Sequence, residues 1–422
     1  MQTDLTDKSN KLGAPLSSLP HWWNSSAPLR AVFSRVIRQG SLRLIDAHGD
    51  ESVFGNNTPP FVVLHLHKPH LHFKLLLNPE LYFGEAYMKG DLTIESGSLK
   101  DFFTLFFRNS SALTHQGWLK TLDSFSFLRR RLQQFNTTQR SRRNAAHHYD
   151  LSIHFYDLFL DSQRQYSCAY FPRGNESLEE AQKRKMDHIL TKLFVQSHHH
   201  VLDIGCGWGG LSLYIARQTG ARVTGITLST EQLLQARQAA RESGLEDRVQ
   251  FELLDYRQVQ GRFDRIVSVG MFEHVGVNNY GRFFRQVKSL LSSEGVALLH
   301  SIGRAHGPSV TSPWIRKYIF PGGYTPALSE VLPAMERSGL FVTDIEILRL
   351  HYARTLQLWR ERFQMNRSLL PPSFDDSFCR MWEFYLTGAE AAFEELGLMV
   401  FQAQLATRQN LVPLTRDYLL NH

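Results

Sequence analysis

Ten residues, Val201 to Gly210, constrain this chain more than any other stretch. They read Val-Leu-Asp-Ile-Gly-Cys-Gly-Trp-Gly-Gly. The apolar run Val201 to Ile204 predicts a buried strand, and Leu211 to Arg217 predicts an amphipathic helix. Between them Gly205, Gly207 and Gly209 alternate, so the backbone can approach a ligand closely at the positive end of a helix. Asp203 offers a carboxylate to a cationic or hydroxylated ligand. A dinucleotide fingerprint would space its glycines G-x-G-x-x-G and place an acid about 20 residues on. Here Thr227 stands at the end of the next strand, Arg222 to Ile226. A purely structural turn is the bland alternative, and the strand and helix on either side weigh against it.

The same alternation continues down the chain. Strands are expected near Val201, Val223, Val249, Ile266 and Val296, with helices near Leu211, Leu233 and Phe284. Gly244 reads as a helix stop. Phe341 to Leu350 and Leu398 to Ala406 supply a sixth and a seventh strand, the last antiparallel. The fold class is α/β, a doubly wound, Rossmann-like sheet of seven strands with a smaller N-terminal α+β domain. The domains divide as 1–143, auxiliary with a basic linker, and 144–422, catalytic.

The N-terminal part opens with a loose lead, residues 1–28, and a short helix, Leu29 to Arg38. Ser41 to Asp46 and Phe61 to Leu77 read as strands of an antiparallel sheet, with a turn at Lys68-Pro69. His65, His67, His70 and His72 fall on one alternation face or beside that turn. Solvent-facing hairpin positions explain them better than a metal site, and no metal is expected. Leu99 to Phe107 predicts an apolar helix. Past the domain boundary, Phe155 to Leu160 and Leu178 to Leu193 read as helices, and His198 to His200 as a loop.

At 422 residues the chain has room for two domains with large cores. Three cysteines make no disulfide framework and point to a reducing compartment. The polar start shows no signal peptide, and no run approaches the length of a membrane span. The net charge of +7 is uneven: residues 1–150 hold 18 Lys and Arg against 12 Asp and Glu. Lys120 to Arg143 concentrates the excess, with seven basic residues and one acid. Such a block suits an anionic membrane surface or nucleic acid, or else forms a solvated helix.

Ligands of open α/β sheets bind outside the carboxyl ends of the strands. The polar residues there are Gly205 to Gly207, Thr227, Asp255 with Tyr256, Glu273 and His300. Gln232 is a ribose candidate, although Ser229 to Gln232 also reads as a capping box. A Glu and a His on adjacent strand ends beside a ligand loop point to chemistry.

Four motifs together carry a family resemblance. They are Tyr166 to Phe171, Val201 to Gly210, Arg265 to Gly276 and Tyr318 to Gly323. In them the chain resembles S-adenosylmethionine-dependent methyltransferases, and among these the cyclopropane-fatty-acyl-phospholipid synthases and mycolic acid cyclopropane synthases. The likeness spans about 145–410, and more weakly the N-terminal unit. It implies cofactor contacts at Tyr166, Ser167, Gly205, Cys206, Gly207, Thr227, Leu228, Ser229, Gln232, Tyr256 and Arg257. It implies a bicarbonate ion held by Cys168, Glu273, His300, Ile302 (through its backbone) and Tyr352. Two departures stand out: Ile153-His154 where the family often has polar or acidic residues, and Ala389 where it often has Cys.

The reaction implied is transfer of a methylene group to a cis double bond of an unsaturated phospholipid acyl chain, with bicarbonate as base. Phe272 and Tyr170 are expected to offer aromatic faces to the cation formed on the way. The branched product of the same chemistry is the nearest rival, and a small-amine N-methyltransferase the next. A lipid-binding protein without activity is the rival from another class. The implied partners are phospholipid acyl chains and an anionic membrane surface, with no nucleic acid and with a homodimer left open. The implied location is cytoplasmic, peripheral at the inner membrane surface.

Overall fold

The structure, a computed structural model, describes residues 25–110 and 153–420. The basic block Lys120 to Arg143 and the start of the chain lie outside the described residues.

The N-terminal unit carries α1 (Ala27–Val36), β1 (Ser41–Ile45), β2 (Glu51–Gly55), β3 (Phe61–Leu66), α2 (His70–Leu77), α3 (Pro79–Lys89), β4 (Leu92–Ser96) and α4 (Leu99–Arg108). Its sheet runs in the order β2-β1-β3-β4. The sheet is mixed, not antiparallel throughout, because β1 pairs with β3 in parallel. The expected long strand 61–77 is a strand followed by a helix. Leu71, His72 and Leu75 are the buried residues of α2, a helical spacing. The His/Leu alternation that imitates a strand there is a coincidence of composition. The edge strand β2 escapes sequence reading because it is short and buries no residue fully.

The second unit contains α5 (Ile153–Asp157), α6 (Leu178–Leu193), β5 (His200–Ile204), α7 (Gly210–Thr219), β6 (Arg222–Thr227), α8 (Thr230–Glu242), β7 (Val249–Leu253) and β8 (Phe263–Val269). It continues through α9 (Tyr280–Leu290), β9 (Leu291–Arg304), α10 (Pro313–Tyr318), α11 (Leu328–Glu336), β10 (Phe341–Ile347), α12 (His351–Asn366), α13 (Asp376–Glu395) and β11 (Leu398–Ala406). The sheet order is β10-β11-β9-β8-β5-β6-β7, with β11 antiparallel to both neighbours. This is the seven-stranded doubly wound sheet expected. The order turns back between β5 and β8, and such a switch point is where a ligand crevice forms. His200, expected in a loop, is the first residue of β5.

The two units are packed closely. A Cβ on Gly84 would lie 2.3 Å from the Trp314 indole nitrogen, and one on Gly388 would lie 2.8 Å from the Phe103 ring. Glu390, fully buried on α13, takes Lys100 of the first unit at 2.6 Å and Arg360 of α12 at 2.8 Å. An unpaired carboxylate there would be costly, so both cations are structural.

Candidate active site

A cavity opens at the carboxyl ends of β5, β6 and β8. Ten of the eleven expected cofactor residues line it: Tyr166, Ser167, Gly205, Cys206, Gly207, Thr227, Leu228, Gln232, Tyr256 and Arg257. Asp203, Trp208, Met271 and His274 complete much of the wall. Ser229 is not in it. Its hydroxyl caps α8 by accepting the Gln232 N–H at 3.2 Å. Gln232 does not return the bond as a capping box would. Its Oε1 instead accepts the Thr227 hydroxyl at 2.8 Å, leaving the amide N–H₂ end for a ligand.

The glycines of the loop serve different ends. A Cβ on Gly205 would strike Met271 at 2.7 Å, and one on Gly209 would strike Phe251 at 2.6 Å. Gly207, at φ +56°, would meet nothing within 4 Å. Packing requires the first two; at Gly207 the open space is the cavity itself.

Two of the charged wall residues are already partnered. Asp203 accepts the Ser212 hydroxyl at 2.7 Å, and burial pushes its carboxyl up to about 6. The Arg257 guanidinium closes back on Asp255 at 2.6 and 2.7 Å. Its side chain therefore braces the loop. Tyr166 shares a hydrogen bond with the Tyr385 hydroxyl at 3.1 Å and stacks on Trp359.

Glu273 follows β8, between the cavity residues Met271 and His274. Its Oε1 accepts the Ile302 N–H at 2.6 Å. Its Oε2 is buried with no hydrogen-bond partner among the described residues. Burial pushes the carboxyl up to about 7, against the lowering effects of the Ile302 N–H, its own backbone N–H and the nearby Ser301 hydroxyl, which itself donates to the Ile302 carbonyl at 3.0 Å. The Ile302 N–H expected to hold an anion is thus taken by Glu273. His300 stands two residues earlier on the same face of β9, and burial followed by the Lys185, Lys192 and His188 charges holds it down to about 3. Cys168 is buried, its thiol pushed up by desolvation, so it is no thiolate. Tyr352 sits in the first turn of α12, against Trp359 and Phe393.

The aromatic faces expected for cation stabilisation are occupied. Tyr170 stacks between His188 at 4.4 Å and His351 at 5.0 Å. Phe272 is fully buried and stacks on Tyr280 at 4.4 Å. Both rings are therefore structural. Of the four N-terminal histidines, His65 and His67 do share a face, and with Glu95 they bring ligand-type atoms within 4.8 Å of one another. Thr93 links them instead, taking the His67 ring at 2.8 Å and donating to Glu95 at 2.5 Å. His70 and His72 belong to α2.

Sequence reading missed the polar face of α6. Gln182, Lys185, His188 and Lys192 are all buried there. Lys185 donates to Gln165 Oε1 at 2.5 Å and to Ser167 Oγ at 2.9 Å, and burial holds its amine down to about 8. Its charge bears on Asp203 in the cofactor loop and on Cys168 and His300 beside it. The spacing of these residues three, four and seven apart was the available signal.

A doubly wound, seven-stranded sheet with its last strand antiparallel and an open glycine cradle at the switch point has the architecture of an S-adenosylmethionine-dependent methyltransferase, and comparison with known proteins bears this out. The mycolic acid cyclopropane synthetase family model matches residues 136–403, and the chain belongs to that family. A domain of unknown function matches 35–117. A tuberculostearic acid methyltransferase of Mycobacterium tuberculosis is 36% identical, over 89% of this chain and 91% of its own length. The cyclopropane-fatty-acyl-phospholipid synthase of Escherichia coli is also 36% identical, over 79% and 85%. A probable fatty acid methyltransferase of Pseudomonas putida reaches 41% over 59% of this chain and 65% of its own. Among solved structures, a cyclopropane synthase from Mycobacterium tuberculosis aligns at a TM-score of 0.60 and 35% identity, covering 63% of this chain and 98% of its own. A related mycolic acid cyclopropane synthase, complexed with SAH and CTAB, aligns at 0.58 and 34%, covering 63% and 98%.

Proposed function

We propose that this enzyme adds a methylene group to a cis double bond of an unsaturated phospholipid acyl chain, giving a cyclopropane ring, with bicarbonate as the base. Bound in the glycine cradle, S-adenosylmethionine supplies an electrophilic methyl group. The residues of the chain hold and orient. Gly207 admits the cofactor, Gln232 and Thr227 meet its ribose, and Tyr166 and Ser167 close over it.

The observation that carries the reading is the buried Glu273 carboxylate with one oxygen unpartnered, set between two wall residues of the cofactor cavity. A carboxyl near pH 7 in its titration can accept a hydrogen bond from bicarbonate and pass on a proton. His300, Cys168 and Tyr352 complete the anion's surroundings in this reading. The basic block Lys120 to Arg143 brings the chain to an anionic membrane surface on the cytoplasmic side. No helix among the described residues is long and apolar enough to cross a membrane.

Mass spectrometry of host lipids with and without the protein tests the reaction. A gain of one CH2 per double bond is expected, with NMR showing the ring. Unchanged lipids would overturn the proposal. A branched product is the second reading, favoured by the methyltransferase name of the relative that aligns over most of its length. Sedimentation with anionic vesicles, weakening as salt rises, tests the membrane contact.

A further inference from the structure

Glu346 of β10, Gln402 of β11 and His300 of β9 lie in one row across three adjacent strands. The registers pair Glu346 with Gln402 and Gln402 with His300. Directly opposed residues project to the same side of a sheet, so the three side chains form a line. Lys192 and His188 of α6 cover it. Lys192 donates to both Glu346 and Gln402, the latter at 2.9 Å, and His188 meets Glu346 at 2.6 Å.

We propose that Lys192 and Gln402 are positioning residues that lock His300 as its Nε2–H tautomer, so that it serves the base site as a fixed hydrogen-bond donor and not as a proton carrier. This rests on the reading of His300 as part of that site.

The argument is one of donors and acceptors. An ammonium has no acceptor, so Lys192 can meet Gln402 only at its amide oxygen. That fixes which end of the amide faces the other way. The Gln402 nitrogen, a donor only, therefore faces His300 Nδ1 at 3.2 Å. Nδ1 must be the unprotonated, accepting nitrogen, and the hydrogen of the neutral ring sits on Nε2. Protonating the ring would set an N–H against the Gln402 N–H₂ and break the bond. The charged groups around His300 favour the same state: Lys185, Lys192 and His188 from α6 oppose a second charge, and Glu346 alone favours it. Glu346 is itself engaged: despite the desolvation that opposes ionisation, His188 and Lys192 hold it near 2. A neutral Nε2–H can hold an anion in place. It cannot take up the proton released on ring closure, which leaves Glu273 and the bicarbonate for that step.

Proton–nitrogen correlation NMR on the full-length protein labelled with ¹⁵N-histidine reads the tautomer directly, His300→Asn giving the assignment. Nδ1 should appear unprotonated and Nε2 protonated, unchanged from roughly pH 5 to 9. An Nδ1–H ring, or an imidazolium in that range, would overturn the proposal. Gln402→Glu keeps the shape but turns the donor into an acceptor. It should shift the ring to Nδ1–H, raise its pKa and lower turnover by about 10–100-fold, the range for residues that orient a site's ligands. Cofactor affinity should stay the same. Turnover should recover at low pH, where the imidazolium again carries Nε2–H, and fall as pH rises through the new ionisation. A flat profile with normal turnover would overturn the proposal, and Gln402→Leu, which deletes the donor to His300 together with the acceptor for Lys192, should release the ring to a mixture of tautomers. Failure of the wild type to modify unsaturated phospholipid would overturn the proposed reaction, while the tautomer reading would stand.

Discussion

Two helices pack against strand β9, and they bury opposite kinds of surface. On α9 the buried residues are Tyr280, Phe283, Phe284, Val287 and Leu290. On α6 they include Gln182, Lys185, His188 and Lys192 among the apolar ones. These four side chains are all hydrogen-bonded, although the Gln182 Oε1 has no partner among the described residues. Gln182 donates to the carbonyls of Gln165 and Ser167 at 3.2 and 3.0 Å, Lys185 to their side chains, His188 and Lys192 to the Glu346–Gln402 row. Buried ionic pairs contribute little net stability compared with apolar packing. Gln165 and Ser167 adjoin or belong to the cofactor wall, and Gln402 hydrogen-bonds His300 from the neighbouring strand. The apolar helix holds the sheet together, and the polar one sets where the site's groups point. Substitutions on the α9 side should therefore cost stability, and those on the polar side should cost function.

The largest effect expected is at Glu273, where the contrast is sharpest. Glu273→Gln keeps the shape, and turnover should fall by roughly 10²–10⁴-fold with cofactor affinity little changed. Its effect on stability should have the opposite sign. The folded state holds a proton on Glu273 up to about pH 7, whereas the free side chain loses it near 4.5. Wild-type stability should therefore fall as pH rises between those values, by about 3 kcal/mol from this group, and the variant should lack that fall. Equal loss of binding and turnover would break the contrast. Next in size is Phe284→Ala on α9, which should cost about 3–5 kcal/mol in denaturant unfolding and leave cofactor affinity per folded molecule unchanged.

The legible parts of the molecule were those written in one local period. The strands 201–204, 222–226 and 398–406 and the glycine loop follow from apolar runs and turns, and the structure has them in place. The helix 178–193 also appears with its Ser177–Glu180 capping box. What stayed hidden depends on two distant segments meeting. The row Glu346–Gln402–His300 arises only from strand register, and Lys185 finds Gln165 and Ser167 only once the chain before α6 folds back on it. By pattern alone, Lys185 and Lys192 belong on a solvated face. Tyr170 and Phe272 failed as cation partners for the same reason: a sequence shows an aromatic ring, not what already covers its faces. At 70–77, composition imitated a strand where Pro69 and the burial spacing made a helix.

Gly207→Val should separate packing from binding within one loop. Its Cβ meets no protein atom, so the fold should lose only about 1–2 kcal/mol, the cost of a left-handed backbone for a residue with a side chain. Calorimetry with S-adenosylmethionine should show affinity reduced by at least about tenfold, since the added atoms enter the cradle. Gly209→Val, by contrast, drives a Cβ to 2.6 Å from Phe251 and should lose stability first. Unchanged affinity in Gly207→Val would remove the loop from the binding argument.

The smallest effect, and the most direct probe of α6, is Lys185→Met. The substitution fills a similar volume and removes a buried charge that costs desolvation, while leaving Gln165 and Ser167 without their donor at 2.5 and 2.9 Å. These terms oppose one another, so net stability at neutral pH should move by only about 1 kcal/mol. The pH dependence is more telling. Burial holds the folded-state amine down to about 8, below the ordinary 10.5. Between those values the unfolded chain binds the extra proton, so the amine makes a positive contribution to the slope of wild-type stability with pH. Lys185→Met should lose that contribution. With Ser167 no longer held, S-adenosylmethionine should bind a few-fold more weakly, by about 1 kcal/mol, the usual worth of one hydrogen bond. A large loss of stability with normal affinity would place Lys185 with the apolar core, and the division between the two helices would fail.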